Sequence, residues 1–340
     1  MKTKAAVLRN VGGPLIIEEL EIPKLTGGQV LVQILCSGLC RSQLNEINGR
    51  KGKEFIPHLL GHEASGFVVE IGDGVKKVRP QDYVVCSWIK GSGLKSSSAI
   101  YYQGKTGKVN AGPVATFASY AVVAENGLVK VPDELPPPVA AILGCAVPTG
   151  AGIIDNFKIA GRDKKLAIFG IGGVGAGALL RAVAVGLECY AFDLKPWKLD
   201  WAREKLGVKT VNVLFDDVIF SISEFIRFFD FSIECSGSRI AMEMAFECLK
   251  DDGTAIIAGN LKPGEKISID PYELIKGKEL KGTWGGECVI DKEIPFYAAE
   301  YLEGKMAIDK MISKIYPFDK INEGLKDLEE GKLIRGVVRM

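Results

Sequence analysis

Short runs of apolar and β-branched residues, separated by Gly, Pro and Asn, make up most of the first 135 residues. Runs of this length with turn residues between them are typical of strands. Because no long helical pattern lies between them, they predict an antiparallel or mixed β domain. The predicted strands are KAAVLRN, LIIEELEIP, QVLVQIL, SGFVVEIG, DYVVCSW and SYAVVAENGLVKVP. A Gly-, Ser- and Lys-rich stretch within this region, IKGSGLKSSSAIYYQGKTGKVNAG, is predicted to form a long loop.

The pattern changes near residue 137, where a helix opened by prolines, PPPVAAILGCAVPTGAGIIDNF, is predicted with an interruption near Pro148. From Lys164 onward, apolar strands alternate with helices, which predicts a parallel sheet covered on both faces. The predicted strands are KKLAIFG, CYAFD, VKTVNV, FSIEC, TAIIAG and LKGTWG, and the helices are VGAGALLRAVAVG, PWKLDWAREKLG, SISEFIRFF and RIAMEMAFECL. After Gly286 come the helices IPFYAAEYLEG and FDKINEGLKDLEEG and the strand IRGVVRM.

Length and composition narrow the class of protein. A chain of 340 residues with 47% hydrophobic and 25% charged residues is expected to fold into two globular domains. The 43 basic and 42 acidic residues balance, which argues against binding to nucleic acid or an anionic membrane. We find no apolar run long enough to span a bilayer and no secretory signal. The eight scattered cysteines therefore indicate reduced thiols and a cytoplasmic protein.

A glycine-rich motif follows the strand KKLAIFG and opens a helix, with the residues Gly170, Ile171, Gly172, Gly173, Val174 and Gly175. The first glycine permits the tight turn, the second lets the backbone approach a pyrophosphate, and the third lets the helix pack close to the strand. Asp193 ends the next strand, 23 residues after Gly170. A carboxylate there would hold the ribose 2′-hydroxyl and repel a 2′-phosphate, so the motif predicts NAD rather than NADP.

The only two histidines are His58 and His62, both in PHLLGHE, and two cysteines stand in comparable contexts, Cys40 in GLCRS and Cys145 in GCA. A catalytic zinc commonly has three Cys or His ligands and one open position. Taken alone, these residues could equally be core thiols and hydrogen-bonded structural histidines.

The segments GLCRSQLNE, GHE, GCAVPTG and GIGGVG, in this order, resemble the zinc-dependent medium-chain dehydrogenase/reductase family of the alcohol dehydrogenase type. The resemblance extends over essentially the whole chain. It implies a β-rich GroES-like catalytic domain over 1–146 and 287–340, and a Rossmann domain with a doubly wound parallel sheet over 147–286. It also implies an NAD-dependent oxidoreductase that interconverts a primary or secondary alcohol and its carbonyl compound by hydride transfer.

The family's catalytic zinc ligands fall on Cys40, His62 and Cys145, with Glu63 near the metal, whereas His58 matches no ligand. By the same resemblance, the Ser42 hydroxyl accepts the alcohol proton. Further residues match positions that hold the cofactor pyrophosphate (Arg41, Arg335), the nicotinamide (Thr149), the adenosine ribose (Lys198) or the substrate (Asn45, Trp88, Phe117). The plain alternatives for them are a surface cation, a helix-cap hydroxyl or a core aromatic residue.

The sequence departs from the family pattern at three places. The loop from Ser92 to Lys108 contains no cysteine, so a second, structural zinc is not expected. Asn45 replaces the relay histidine and cannot titrate near neutral pH. Gln43 replaces an aspartate paired with the ligand histidine, and an amide orients the ring without adding charge, which is expected to leave the metal more electrophilic.

The expected substrate is a small alcohol or carbonyl compound, and the polar loop slightly favours a polyol or sugar-like molecule. Two alternatives stay open: a zinc-free NAD(P)H reductase of the same superfamily, and a non-catalytic NAD-binding relative. A homodimer or homotetramer is expected, with the strand LKGTWG as a plausible edge for joining sheets. No nucleic-acid or membrane partner is expected.

Overall fold

The computed structural model describes residues 1–50, 52–103, 107–213 and 224–340. The chain divides into two compact units. The first contains Met1–Ala146, Val289–Gly304 and Ile312–Met340, and the second contains Val147–Cys288 and Lys305–Met311. No helix in the described part of either unit has both the length and the apolar character needed to cross a lipid bilayer.

The first unit is built mainly from strands, as its sequence pattern predicts. Its strands are β1 (Lys2–Leu8), β2 (Leu15–Glu21), β3 (Gln29–Leu39), β4 (His58–Leu59), β5 (Glu63–Ile71), β6 (Tyr83–Ser87), β7 (Ile100–Gln103), β8 (Gly107–Ala111), β9 (Tyr120–Ala124) and β10 (Leu128–Lys130). Two strands from the end of the chain, β17 (Ile312–Pro317) and β18 (Arg335–Arg339), join them. The helices of this unit are α1 (Arg41–Ile47), α2 (Pro137–Ile142), α8 (Ile290–Leu302) and α9 (Ile321–Glu329).

These strands form two sheets. A closed barrel has the order β1-β2-β7-β8-β4, and a second sheet has the order β10-β6-β5-β3-β18-β17, with β9 also paired to β3. Inside the barrel, completely buried side chains such as Leu20, Tyr101 and Phe117 pack together. The Tyr101 hydroxyl accepts a hydrogen bond from the Val122 N–H at 2.7 Å, which satisfies its polar end within this core.

The long loop predicted over 89–112 is wrong in its second half, because β7 and β8 lie there as an antiparallel pair. Tyr101 faces Val109 across that pair, and both side chains are fully buried in the barrel. The glycines, serines and lysines around them obscure a short apolar alternation that tertiary packing stabilises. Residues 104–106 of the predicted loop lie outside the described residues.

The second unit contains a six-stranded parallel sheet, as predicted. Its strands are β11 (Lys165–Phe169), β12 (Glu188–Asp193), β13 (Lys209–Asn212), β14 (Phe229–Glu234), β15 (Leu249–Ile257) and β16 (Glu279–Gly282), in the order β13-β12-β11-β14-β15-β16. The direction of chain progression reverses between β11 and β14, and ligands bind at the carboxyl ends of strands beside such a reversal. Its helices are α3 (Ala146–Asn156, whose first residue belongs to the first unit), α4 (Gly173–Ala184), α5 (Pro196–Leu206), α6 (Arg239–Glu247) and α7 (Pro271–Ile275).

Two predicted helices differ from the structure. The proline-opened helix is interrupted before Pro148, at residues 143–145, and Pro148 lies in the first turn of α3, where its missing N–H costs nothing. The helix predicted over SISEFIRFF is wrong in its described part. Residues 224–227 form a turn, Arg227 has a φ of 55°, and Phe229 already belongs to β14. Residues 221–223 of this segment lie outside the described residues.

Candidate active site

Three ligand-type side chains meet in the first unit. The Sγ atoms of Cys40 and Cys145 and a ring nitrogen of His62 lie within 4.8 Å of one another. Cys40 precedes α1, His62 lies between β4 and β5, and Cys145 lies between α2 and α3. The described residues contain this one group of three or more His, Cys, Asp or Glu side chains with such spacing. The fold thus brings together three residues that are up to 105 positions apart in sequence.

A glycine before two of these ligands allows the close packing of the site. Gly61 precedes His62 with a φ of 94°, and a Cβ atom there would lie 2.5 Å from Thr116 Oγ1. Gly144 precedes Cys145, and a Cβ atom there would lie 2.2 Å from the Cys86 carbonyl oxygen. Side chains at either position would therefore displace the segment that carries the ligand, which explains the motifs GHE and GC physically.

The imidazole of His62 is held at one nitrogen and unpartnered at the other. Its Nδ1 contacts the amide Nε2 of Gln43 and lies 3.3 Å from Ser42 Oγ. The same amide accepts the backbone N–H of Cys40 through its oxygen at 2.7 Å, which caps α1. The other ring nitrogen of the histidine, His62 Nε2, is buried and has no hydrogen-bond partner among the described residues. The His62 ring is therefore positioned by α1. When its Nδ1 proton is directed at Ser42 Oγ, the lone pair of His62 Nε2 can bind a metal.

The Cys40 and Cys145 side chains are joined by a hydrogen bond. A hydrogen bond from Cys145 lowers the pKa of the Cys40 thiol well below its ordinary value, and the same bond raises the pKa of Cys145. Burial opposes charge on His62, but its contact with Cys40 raises the pKa of His62 overall. A thiolate is thus readily formed at the centre of this group, and thiolates are the form of cysteine that binds metals.

This donor set fits a catalytic zinc. Two cysteines and one histidine are a known three-ligand set for a zinc that keeps a fourth position open. The unpartnered His62 Nε2 and the low pKa of Cys40 agree with that use.

Glu63 lies beside the group but is committed to another partner. Its carboxylate forms an ion pair with Arg335, and the two side chains are 0% and 4% exposed. Burial raises the pKa of Glu63, and the Arg335 guanidinium opposes that shift. A Cβ atom on Gly38 would lie 2.1 Å from the Glu63 carboxylate, so Gly38 is needed to make room for the pair. Glu63 is consequently not one of the three converging ligands, and Arg335 points its guanidinium at Glu63.

The residues predicted to line the substrate pocket have different surroundings. Phe117 is fully buried and packs in the barrel core, a position that agrees with the plain alternative of a core aromatic residue. Trp88 follows β6 and is half-buried, and Asn45 is half-buried on α1. Arg41 is exposed at the first position of α1.

In the second unit, the glycine-rich turn has the backbone that the motif requires. Gly170 has a φ of 91°, and a Cβ atom on Gly175 would lie 2.0 Å from the Gly170 carbonyl oxygen. A Cβ atom on Gly172, by contrast, would meet nothing within 4 Å, so its backbone is open to a ligand. Gly173 and Val174 begin α4, whose first N–H groups favour an anion.

Asp193 is positioned beside this turn. Its carboxylate accepts the backbone N–H groups of Ile171 at 2.7 Å and of Lys195 at 2.9 Å, so it joins two strand-to-helix turns. Lys198 lies nearby on α5, with its Nζ 5.7 Å from the Trp197 ring centre. Elsewhere in the unit, the Thr149 hydroxyl is buried and has no partner in the described part of the chain.

A cavity of about 210 Å³ opens at the carboxyl ends of the strands. Gly170 and Asp193 line it, as predicted residues, together with apolar side chains that include Phe169 and Ile240. Ser236 and Ser238 also line it, although neither was predicted from the sequence. The sequence did contain a signal for them, since the small polar segment SGS directly follows the predicted strand FSIEC. An apolar cavity beside an open glycine turn fits a dinucleotide.

Comparisons with known proteins agree with this geometry. A family model for the alcohol dehydrogenase GroES-like domain matches residues 26–133, and one for zinc-binding dehydrogenases matches residues 173–300. The S-(hydroxymethyl)glutathione dehydrogenase of Komagataella pastoris is 30% identical over 100% of this chain and 98% of its own length. The class-3 alcohol dehydrogenase of Myxine glutinosa is 31% identical over 99% and 97%.

Among solved structures, an alcohol dehydrogenase zinc-binding domain protein from Burkholderia ambifaria superposes with a TM-score of 0.92. It is 27% identical and covers 100% of this chain and 99% of its own. The full-length match, the converging cysteines and histidine, and the glycine-rich parallel sheet lead to one conclusion. The chain belongs to the zinc-binding alcohol dehydrogenase family of medium-chain dehydrogenases/reductases, oxidoreductases that interconvert alcohols and carbonyl compounds.

Proposed function

We propose that the protein is an NAD-dependent dehydrogenase with one catalytic zinc held by Cys40, His62 and Cys145. The observation that carries this proposal is the convergence of the three ligand atoms within 4.8 Å, with His62 Nε2 unpartnered among the described residues. When bound there, zinc supplies a Lewis acid that lowers the pKa of a substrate alcohol. Residues 147–286 would form the cofactor domain, and the two flanking segments would form the catalytic domain.

Ser42 is the candidate for the first proton acceptor. Its hydroxyl lies at the start of α1, 3.3 Å from the ring of the ligand His62, and this position supports a role next to the reacting alcohol. Asn45, one turn further along α1, cannot take the proton onward near neutral pH. The proton would therefore pass from Ser42 to water or to the cofactor ribose.

Asp193 favours NAD over NADP. Its carboxylate already accepts two backbone N–H groups, which fixes a negative charge at the end of β12. A ribose 2′-hydroxyl can donate to a remaining lone pair, whereas a 2′-phosphate would be repelled by the negative charge of the carboxylate.

The metal content proposed is one zinc per chain. The segment from Ser92 to Lys108 lacks the four cysteines that a second, closed zinc site needs.

None of the eight cysteines, all of them in the described part of the chain, forms a disulfide, which supports a reducing, cytoplasmic compartment. The substrate would be a small alcohol or its carbonyl compound.

A homodimer or homotetramer is the proposed assembly. Around β16, the edge strand of the parallel sheet, Ile275 and Trp284 are 79% and 75% exposed. Large apolar side chains beside a sheet edge are suited to a second copy of the chain.

The test is the metal content and NADH binding of the purified protein, with Cys145→Ala as the site variant and Cys86→Ala as its control. Cys86 is an equally buried thiol of the first unit that packs among apolar side chains and is not one of the three ligands. We expect about one zinc per chain in the wild type and the control, and loss of zinc in Cys145→Ala. NADH binding without zinc in the wild type would overturn the zinc assignment in favour of a metal-free reductase or a non-catalytic binder.

A further inference from the structure

Glu234 is a buried carboxylate to which the proposed function gives no role. It is the last residue of β14, at the carboxyl end of the sheet, and it is 0% exposed. One oxygen, Oε1, accepts the backbone N–H of Ser236 at 2.6 Å, the hydroxyl of Ser236, and the backbone N–H of Gly237 at 2.8 Å. The other oxygen, Oε2, is buried and has no hydrogen-bond partner among the described residues.

This arrangement is costly as a purely stabilising device. A buried carboxylate with one unpartnered oxygen loses hydration that its hydrogen bonds only partly replace, and burial raises the pKa of Glu234 despite those bonds. An apolar side chain at the same position would avoid that cost. What the carboxylate does provide is one acceptor that binds three donors of a single turn and so fixes the turn's position.

The fixed turn, Ser236-Gly237-Ser238, lies against the glycine-rich turn. A Cβ atom on Gly170 would lie 2.8 to 2.9 Å from the Ser236 backbone nitrogen, Cα and Cβ. Ser236 and Ser238 line the 210 Å³ cavity together with Gly170 and Asp193. Contacts therefore run without interruption from the Glu234 carboxylate through Ser236 to the turn that would hold the pyrophosphate.

We propose that Glu234 is a positioning residue for the dinucleotide, which holds the Ser236–Ser238 turn against Gly170 and thereby shapes the adenosine side of the cavity. The proposal rests on the proposed NAD-binding function. Glu234 acts through Ser236, and Oε2 takes no part in the contact. Removing the acceptor frees three donors, so the turn shifts and the cavity loses its fit to the ligand.

The experiment measures the Kd of NADH and of ADP-ribose for the zinc-loaded full chain. The variants are Glu234→Ala, Glu234→Gln and Ser236→Ala. The control is Asp230→Asn, a buried carboxylate at the other end of the same strand, which binds the Lys165 N–H, Lys164 and Lys250. Like Glu234 it is a buried carboxylate of β14 that accepts several hydrogen bonds, but it is not among the residues that line the cavity.

We expect Glu234→Ala to raise both Kd values about tenfold or more, because it removes hydrogen bonds to a charged acceptor. Glu234→Gln keeps an acceptor oxygen and should give a smaller increase of about threefold, and zinc content should not change in either variant. Ser236→Ala in the Glu234→Ala background should add nothing. Asp230→Asn should lower the Tm but leave both Kd values within about twofold.

Two outcomes would overturn the inference: unchanged Kd values in Glu234→Ala and Glu234→Gln, or an equal rise in Asp230→Asn. If Glu234→Ala does not fold, the comparison of Glu234→Gln and Ser236→Ala with the control decides the question. A wild-type protein that binds neither NADH nor ADP-ribose would instead contradict the proposed function itself.

Discussion

Glu125 stabilises the part of the first unit in which the family's structural-zinc cysteines are missing. Its carboxylate is 2% exposed and accepts the backbone N–H groups of Lys76, Lys77 and Leu94, each at 2.6 Å. A Cβ atom on Gly93 would lie 2.9 Å from the Glu125 side chain. The Glu125 carboxylate thus joins the loop that contains Lys76 and Lys77 to the loop that contains Leu94.

We predict that Glu125→Gln lowers the free energy of unfolding of this unit by about 3 to 5 kcal/mol. The glutamine oxygen can keep the Lys76 and Lys77 donors, but it loses the charge that strengthens each bond by about 1 kcal/mol. Its NH₂ group then faces the Leu94 N–H, and leaving one buried donor unpaired costs about 1 to 3 kcal/mol.

The pH dependence provides a second signature. Burial favours the neutral form of Glu125, but the hydrogen bonds from Leu94, Lys77 and Lys76 lower its pKa overall, below the ordinary value of 4.5. A carboxyl group whose pKa is lower in the folded state stabilises that state fully above the unfolded value. This contribution is lost as the pH falls through the lowered value. The difference between wild type and Glu125→Gln should therefore be full at pH 7 and shrink below about pH 4.5.

The assay is urea denaturation at several pH values, with hydrogen exchange of residues 90–97 to localise the effect. Glu70→Gln serves as the control, because Glu70 is an exposed glutamate of the same unit and its loss should change stability by less than about 0.5 kcal/mol. The reasoning is refuted if Glu125→Gln matches this control, or if its loss of stability is the same at pH 3.5 and at pH 7.

Three further predictions concern the candidate site and the barrel. Asn45→His should introduce a limb near pH 6.5 into the pH profile of kcat, since an imidazole would restore a titratable relay; an unchanged profile would contradict the assigned proton path. Asp193→Ala should reduce the preference for NADH over NADPH by about tenfold or more, measured as the ratio of the two Kd values, and an unchanged ratio would remove Asp193 from cofactor selection. Phe117→Ala should destabilise the barrel by about 3 to 5 kcal/mol in urea denaturation; a loss below 1 kcal/mol, with a changed substrate KM, would return Phe117 to the substrate pocket.

Motifs with a local backbone requirement could be predicted from the sequence. The turn from Gly170 to Gly175 is one case, because its spacing demands a positive φ and a close helix approach that only glycine permits. The glycines before His62 and Cys145 are a second case, because a Cβ atom at either position would lie too close to neighbouring atoms. The three candidate metal ligands were grouped through a family resemblance, since no local property brings residues 105 positions apart together.

Features that depend on partners distant in sequence could not be predicted. Tyr101 and Val109 form strands because the barrel buries them, although their neighbours have the composition of a loop. Phe117 looks the same in sequence whether it faces a pocket or a core, and only its contacts assign it to the core. Glu234 resembles any strand-end charge until its three donors and its complete burial are seen.

Gln43 shows how a single departure from the family pattern links local structure to the site. Its amide oxygen caps α1 at the Cys40 N–H, and its amide nitrogen contacts His62 Nδ1. A shorter aspartate could serve the histidine but reaches less far toward the cap, whereas the longer amide serves both. One side chain therefore contacts a candidate metal ligand and caps the helix that carries Ser42. The loss of the usual carboxylate charge is thus accompanied by a direct contact between the segments that carry two of the three candidate ligands, and such contacts hold ligands in place in a preorganised metal site.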